Sequence, residues 1–149
     1  MNPFLLSPSE RLSEWRDFRA SIQNMGDLDQ LLKVARWGGQ APLCNYSMDW
    51  DNPKSWLTPW ELIHEGTFCP TAVAYLMEQT LLMAGWDSSR LRLIYIKNQE
   101  EGVEKLLLLV DDAWVLNYSI GEVFNFDNIR SGSALLATYQ AVADGHQSV

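Results

Sequence analysis

The chain has 149 residues, of which 47% are hydrophobic and 20% charged, and its formal net charge is -8 at pH 7. This composition excludes an intrinsically disordered chain, and the length predicts one domain with a single core. The acidic balance, without a cluster of Lys and Arg to neutralise phosphates, argues against nucleic-acid binding.

The sequence shows no signal that would direct the chain into or across a membrane. Residues 1–6 lack the basic start of a signal peptide, and no segment approaches the roughly 20 apolar residues of a membrane span. Cys44 and Cys69 are the two cysteines, too few for a disulfide framework. They fit free thiols in a reducing compartment, while a single disulfide between them stays open. We therefore expect a cytoplasmic protein with no membrane partner.

Two helices are predicted in the N-terminal part, residues 1–39. The first has a clear start signal, because Ser7 is a suitable N-cap, Pro8 suits the first helical position and Glu10 completes a capping box. Asp27 is a suitable cap for the second, which Gly38 and Gly39 end.

Residues 40–57 are predicted to form a long loop rich in Asn, Asp, Pro and Trp, and loops of this length are often functional. Trp50 and Trp56 lie in the loop, and Trp60 lies just beyond it. Large aromatic side chains either anchor such a loop to the core or form a patch that docks a protein partner. Both interpretations of the three tryptophans stay open.

The most informative residue is Cys69, which directly precedes a predicted helix over residues 70–85. That helix is apolar over a wide arc, which is typical of a central helix packed on a sheet. The dipole of a helix stabilises a thiolate at its N-terminus, so Cys69 is a candidate nucleophile. The alternative is a buried, inert cysteine that packs as a small apolar residue.

The remainder of the chain is predicted to be mainly strands. A two-residue turn at Asp111 and Asp112 joins the second and third of them. A last helix over 133–143 and a frayed tail are expected to follow. Helices first and an antiparallel meander afterwards predict the α+β class. The strands are expected at residues 91–97, 106–110, 113–118 and 123–126.

Several short motifs between residues 49 and 118 occur in the order found in a known enzyme family. They are Asp51, Trp56-Leu57-Thr58-Pro59-Trp60-Glu61, Gly66-Thr67-Phe68-Cys69, Leu82-Met83-Ala84-Gly85 and Leu91-Arg92-Leu93-Ile94-Tyr95-Ile96. In this order they resemble the bacterial transglutaminase-like cysteine proteinase family.

The resemblance implies a single domain, residues 1–149, with a papain-like or transglutaminase-like fold. In it, a central helix starting at Cys69 packs on an antiparallel sheet of three to four strands. The N-terminal helical part, 1–39, precedes the motif-bearing core, 40–130, and the C-terminal helix and tail occupy 131–149.

The catalytic positions of that family are only partly retained. Cys69 matches the nucleophile, but the histidine position falls on Lys105, or on Glu104 after a one-residue slip, and the aspartate position falls on Asn117. Asn can orient a histidine in papain-like enzymes. The missing base is the more serious change, because in that family the histidine takes the thiol proton and protonates the leaving group. His64 and Lys105 are the remaining candidates for that base, and His146, near the C-terminus, is a poorer one.

We therefore expect a non-catalytic protein of this fold that binds a protein partner or serves in assembly. A compact acidic domain of this kind also resembles small proteins of tailed bacteriophages, which suggests a virion component. The alternative is an active cysteine peptidase or amidase that uses Cys69, with His64 or Lys105 as base and Asn117 as orienter. No metal-binding or nucleotide-binding motif is present, so no cofactor is expected.

Overall fold

A computed structural model describes all 149 residues, which form five α-helices and one six-stranded sheet. None of the helices combines the length and apolar character that a membrane span requires. The helices are α1 (Pro8–Ile22), α2 (Asp27–Gly38), α3 (Pro59–Glu65), α4 (Pro70–Met83) and α5 (Asp127–Arg130). The strands are β1 (Leu91–Asn98), β2 (Glu104–Val110), β3 (Trp114–Leu116), β4 (Val123–Asn125), β5 (Ser133–Val142) and β6 (Gly145–Ser148).

The sheet is antiparallel throughout, with the strand order β4-β3-β2-β1-β5-β6. Asp111 and Asp112, which join β2 to β3, have φ angles of 54° and 55°. Two successive left-handed residues are the signature of the tight turns that match strand twist, and Asp tolerates this conformation. The turn predicted from the sequence is therefore present.

The prediction of a C-terminal helix over 133–143 is wrong, because these residues form β5 instead. β5 pairs with β1, from Leu93 opposite Tyr139 to Asn98 opposite Ser133. Without β5, the buried strand β1 would be an open edge with unsatisfied main-chain groups. The expected frayed tail is β6, which pairs with β5, so the sheet has six strands rather than three to four.

Helix α4 is the centre of the molecule. It contacts β1 and β2 on one side and α1, α2 and α3 on others, and nine of its 14 residues are buried. A helix that is apolar around most of its circumference has to be covered on all sides. The main core lies between α4 and the inner face of the sheet, while a smaller core covers the outer face. The predicted α+β class with a central helix on an antiparallel sheet is confirmed.

Helix α3 positions the segment before Cys69 and is held at its start by a capping box. The Glu61 amide donates to the Thr58 hydroxyl at 3.2 Å, and the Thr58 amide donates to the Glu61 carboxylate at 3.0 Å. Both bonds satisfy main-chain groups that have no partner within the helix.

We expect Thr58→Ala to lower the free energy of unfolding by about 1 kcal/mol, since the hydroxyl acceptor is lost. Urea denaturation followed by circular dichroism measures this change. Thr58→Ser keeps the acceptor and should stay close to the wild type. An equal loss of unfolding free energy in both variants would contradict a capping role for the Thr58 hydroxyl.

Candidate functional site

Cys69 is the N-cap of α4, as the sequence predicts for a nucleophile at a helix start. Its carbonyl accepts from the amide of Val73 at 3.0 Å, and Pro70 occupies the first turn. An isolated bridge between Leu43 and Phe68 fixes the preceding backbone. The residue is only 1% exposed, and both cysteines are free, with Cys44 at the surface. The disulfide that the sequence left open is not formed.

Tyr46, which the sequence analysis did not select, places its phenol beside Cys69. The Tyr46 hydroxyl donates to the main-chain carbonyl of Thr67 at 2.9 Å. Partial burial, and then the neighbouring sulfur of Cys69, raise the pKa of Tyr46 above its ordinary value. The phenol is therefore protonated at neutral pH, gives its one proton to the carbonyl of Thr67 and cannot act as a base there.

Strand alternation places Glu104, rather than Lys105, on the face of the sheet that meets α4. Leu106 belongs to the main core under α4, whereas Leu107 belongs to the core on the outer face. Side chains two residues apart in a strand point to the same face of the sheet. Glu104 therefore lies on the face of Leu106, and Lys105 lies on the face of Leu107. Glu104, which takes the family's histidine position after a one-residue slip, therefore places its carboxylate on the α4-facing side at the start of β2.

Glu104 is part of a small aromatic and acidic arrangement. The Tyr95 hydroxyl donates to Glu104 Oε2 at 3.0 Å, and Trp50 stacks on Tyr95 with ring centres 3.7 Å apart. Burial, followed by the hydrogen bond to Glu104 and its charge, raises the pKa of Tyr95 to about 12. Tyr95 therefore stays protonated at neutral pH and keeps Glu104 in place.

Lys105 and Asn117 are both engaged with the main chain. Lys105 Nζ donates to the carbonyl of Tyr118 at 2.9 Å. Asn117 has a left-handed φ of 76°, and its amide donates to the carbonyls of Pro70 at 2.9 Å and Leu106 at 3.0 Å. These bonds tie the start of α4 to the sheet, and no histidine lies within the contacts of Asn117.

Neither histidine lies at Cys69. His64 is exposed on α3, and its carbonyl accepts a hydrogen bond from Arg11. His146 on β6 places Nε2 at 2.7 Å from Glu78 Oε1. Glu78 is nine residues beyond Cys69 on α4, which corresponds to about 13 Å along a helix axis. The His146 imidazole, which pairs with Glu78, therefore lies away from the Cys69 thiol.

The surroundings of His146 are aromatic and buried. Its ring lies 5.2 Å from that of Trp56 and 5.7 Å from that of Tyr75. Burial and the charge of Glu78 raise the pKa of Tyr75 to about 12. The expectation that His146 lies in a frayed tail is wrong, because its side chain is 4% exposed and paired with Glu78.

The three tryptophans selected from the sequence have different environments. Trp50 and Trp56 are half-buried against the main core, and Trp56 Nε1 donates to the carbonyl of Asp49 at 2.8 Å. Trp60 is 52% exposed and packs edge-on against Trp15. Two of the three therefore anchor the loop, and Trp60 is the one with most of its surface in solvent.

A groove with a volume of about 480 Å³ opens over Cys69. We call it the cysteine groove. The long loop forms one wall, and the beginning of β2 forms the other. No histidine lines it, and no cluster of three or more potential metal ligands occurs in the structure. Its lining includes Asp49, Trp50, Asp51, Cys69, Tyr95, Glu104 and Lys105.

The arrangement supplies a thiol at a helix N-terminus but no imidazole to deprotonate it. In thiol hydrolases the base takes the proton of the nucleophile and later protonates the leaving group. Here the groove offers carboxylates, the neutral phenol of Tyr95 and one lysine that is hydrogen-bonded to a carbonyl. Such a surface is suited to binding a segment with donors or positive charge.

No protein-family model and no curated protein matches the chain. Solved structures of Legionella pneumophila LapG, a bacterial transglutaminase-like cysteine protease, do match. One is 18% identical with a TM-score of 0.75, covering 95% of this chain and 80% of LapG. Calcium-bound LapG is 19% identical with a TM-score of 0.73, covering 97% of this chain and 81% of LapG. EGTA-treated LapG is also 19% identical with a TM-score of 0.73, covering 90% of this chain and 74% of LapG. The chain therefore has the transglutaminase-like fold.

Proposed function

We propose that this protein is a non-catalytic member of the transglutaminase-like fold whose cysteine groove binds a protein partner. The observation that carries the proposal is the separation of the thiol from both imidazoles. Cys69 lies in the groove, while His146 is paired with Glu78 and His64 is exposed on α3. Loss of a member of a catalytic triad removes several orders of magnitude of rate. What the groove retains is a shaped and charged surface.

The proposed role is binding or assembly. A compact acidic domain of this kind resembles small proteins of tailed phages, so we propose a virion as one such assembly, with the cytoplasm as the place where the protein is made. Loss of enzymatic chemistry is compatible with retention of the fold, because fold and function are separable.

Alkylation by iodoacetamide at neutral pH tests whether Cys69 is activated. The variant Cys44→Ala leaves Cys69 as the one thiol, and Cys69→Ala leaves the exposed Cys44 as the matched reference. We expect Cys69 to react more slowly than Cys44 by on the order of tenfold or more, because buried thiols without a base are inert. Mass spectrometry of the labelled chain measures both rates. Faster reaction of Cys69 than of Cys44 would contradict the proposal.

The alternative is an active cysteine peptidase or amidase. Cys69 at the start of α4, with the Tyr46 phenol beside it, favours this alternative. The fold alone would also accommodate it, since LapG is a cysteine protease. A peptidase or amidase activity that the wild type has and Cys69→Ala lacks would support the enzyme and exclude the binding protein.

A further inference from the structure

Two cavities meet at the start of α4. One is the cysteine groove, and the other, with a volume of about 400 Å³, lies between the end of α2, the start of α4 and the turn from β3 to β4. We call the second the apolar cavity. Pro70 and Lys105 line both of them. The two cavities therefore adjoin at the start of α4, and we call the pair the trough.

The apolar cavity has a hydrocarbon floor and an apolar rim. Val73 and Met77 of α4 line its floor, and Leu43 and Ile120 at its edge are 52% and 75% exposed. Exposed apolar side chains grouped around a cavity of this size are typical of a recognition site. An aliphatic side chain of a partner would bury its surface here.

Glycine at the end of α2 sets the shape of this cavity. A Cβ at Gly39 would lie 2.9 Å from the main-chain nitrogen of Gly121, so any larger residue would push the β3–β4 turn away. The turn that carries Ile120 therefore sits close against α2. This close approach holds Ile120 beside the cavity.

The cysteine groove has the opposite character. Asp49, Asp51 and Glu104 line it, and none of the three forms an ion pair with a basic side chain. The stacked rings of Trp50 and Tyr95 lie among these carboxylates. A carboxylate-lined site beside aromatic faces attracts a Lys or Arg side chain through charge and through cation–π contact. The overall charge of -8 strengthens the long-range attraction of a cation.

We propose that the trough binds an extended peptide segment that carries one basic and one aliphatic side chain. The basic side chain enters the cysteine groove, and the aliphatic side chain enters the apolar cavity. Every second side chain of an extended segment points to the same face, and such side chains lie about 7 Å apart, so two side chains separated by one residue can enter adjoining cavities. The inference rests on the proposed function, since it names the class of partner that the non-catalytic groove would bind.

Fluorescence anisotropy with synthetic labelled peptides tests the proposal on the full chain. The probes are eight-residue peptides of alanine and serine that carry one lysine and one leucine two positions apart, on the same face of an extended chain, in both orders. The matched controls replace the lysine by glutamate, replace the leucine by serine, or place the two residues adjacent. We expect at least one of the two orders to bind about fivefold or more tightly than each of its controls, which corresponds to about 1 kcal/mol.

Two surface variants assign each contact to one half of the trough. Glu104→Gln keeps the shape of the groove and removes a charge. It should therefore weaken the binding of the lysine peptide about fivefold and leave the binding of the glutamate peptide unaffected. Ile120→Ser should weaken the binding of the leucine peptide and leave the binding of the serine peptide unaffected. Asp17→Asn on α1, with the same change of charge as Glu104→Gln but outside the trough, is the control.

The outcomes separate this inference from the proposed function. Failure of both orders to exceed their controls, or equal loss in Glu104→Gln and Asp17→Asn, overturns the bipartite peptide while the non-catalytic groove stands. Selective binding followed by cleavage of the peptide, abolished in Cys69→Ala, overturns the non-catalytic function while the peptide class stands. Selective binding without cleavage supports both.

Discussion

Replacing His146 by alanine should lower the free energy of unfolding by about 3 kcal/mol, because the buried Glu78 side chain loses its shortest hydrogen bond and keeps an unsatisfied polar group. Glu78 is completely buried, and its Oε1 lies 2.7 Å from His146 Nε2. Its second oxygen, Oε2, has no hydrogen-bond partner. Without the imidazole, the carboxylate would keep only its bond from the side-chain amide of Gln79. Urea denaturation monitored by tryptophan fluorescence measures the loss.

A double variant separates the pair from simple loss of packing. Glu78→Gln combined with His146→Ala removes the carboxylate that the single variant leaves unpaired, so the double variant should be less destabilised than the two single changes added together. Gln147→Ala, an exposed neighbour on β6, is the matched control and should change stability little. Additive effects, or a loss below about 1 kcal/mol in His146→Ala, would contradict the structural role of the pair.

Replacing Asn117 by alanine should destabilise the protein by about 2–3 kcal/mol. Two side-chain hydrogen bonds, to the carbonyls of Pro70 and Leu106, are lost, each worth about 1 kcal/mol. The left-handed φ of 76° adds a further penalty, because alanine tolerates that conformation less well than asparagine. Chemical denaturation gives the total change.

Two other substitutions at Asn117 divide that total into its parts. Asn117→Gly loses the same hydrogen bonds without the backbone penalty, so it should be less destabilising than alanine by about 1 kcal/mol. Asn117→Asp restores the acid of the enzyme family but has no N–H to donate to the two carbonyls. We expect Asp to be at least as destabilising as Gly. Wild-type stability in Asn117→Asp would show that the donor bonds contribute little.

The parts of the fold with strong local signals were predictable from the sequence. The start of α1 follows from a proline at the first helical position, and the turn at Asp111 and Asp112 follows from residues that tolerate left-handed φ. The predicted capping box at α1 is wrong, because the Ser7 hydroxyl donates to the Glu10 carboxylate at 2.6 Å and does not bond the main chain. The central position of α4 follows from an apolar surface too wide to leave in water. In each case a short stretch of chain contains the physical cause of the structure.

The C-terminal segment was mispredicted because its local pattern fits two structures. Leu135, Leu136, Tyr139 and Val142 follow helical spacing, but the open edge of β1 requires a strand. A bulge between Tyr95 and Ile96 in the β1 register lets β5 deviate from strict alternation. The partner strand, about forty residues earlier, decided the outcome, and periodicity within the segment contains no information about it.

The candidate site shows the same division. Cys69 at a helix start was predictable, because a proline and a long apolar helix follow it directly. Glu104 and Lys105 could not be ranked from the sequence, since a shift of one residue exchanges the two faces of a strand. Tyr46 carries no motif, and only the path of the loop brings its phenol to the thiol.

By itself, the sequence determined the class of fold, the central helix and the cysteine at its start, because helix caps, turns and apolar faces act over a few residues. Tertiary structure alone decided what accompanies that cysteine. It paired His146 with Glu78, turned Glu104 toward α4 and tied Asn117 to two carbonyls. These contacts join residues from 11 to 68 positions apart, except for the nearer Tyr95–Glu104 bond across β1 and β2. They depend on sheet register and chain path, which no local pattern encodes.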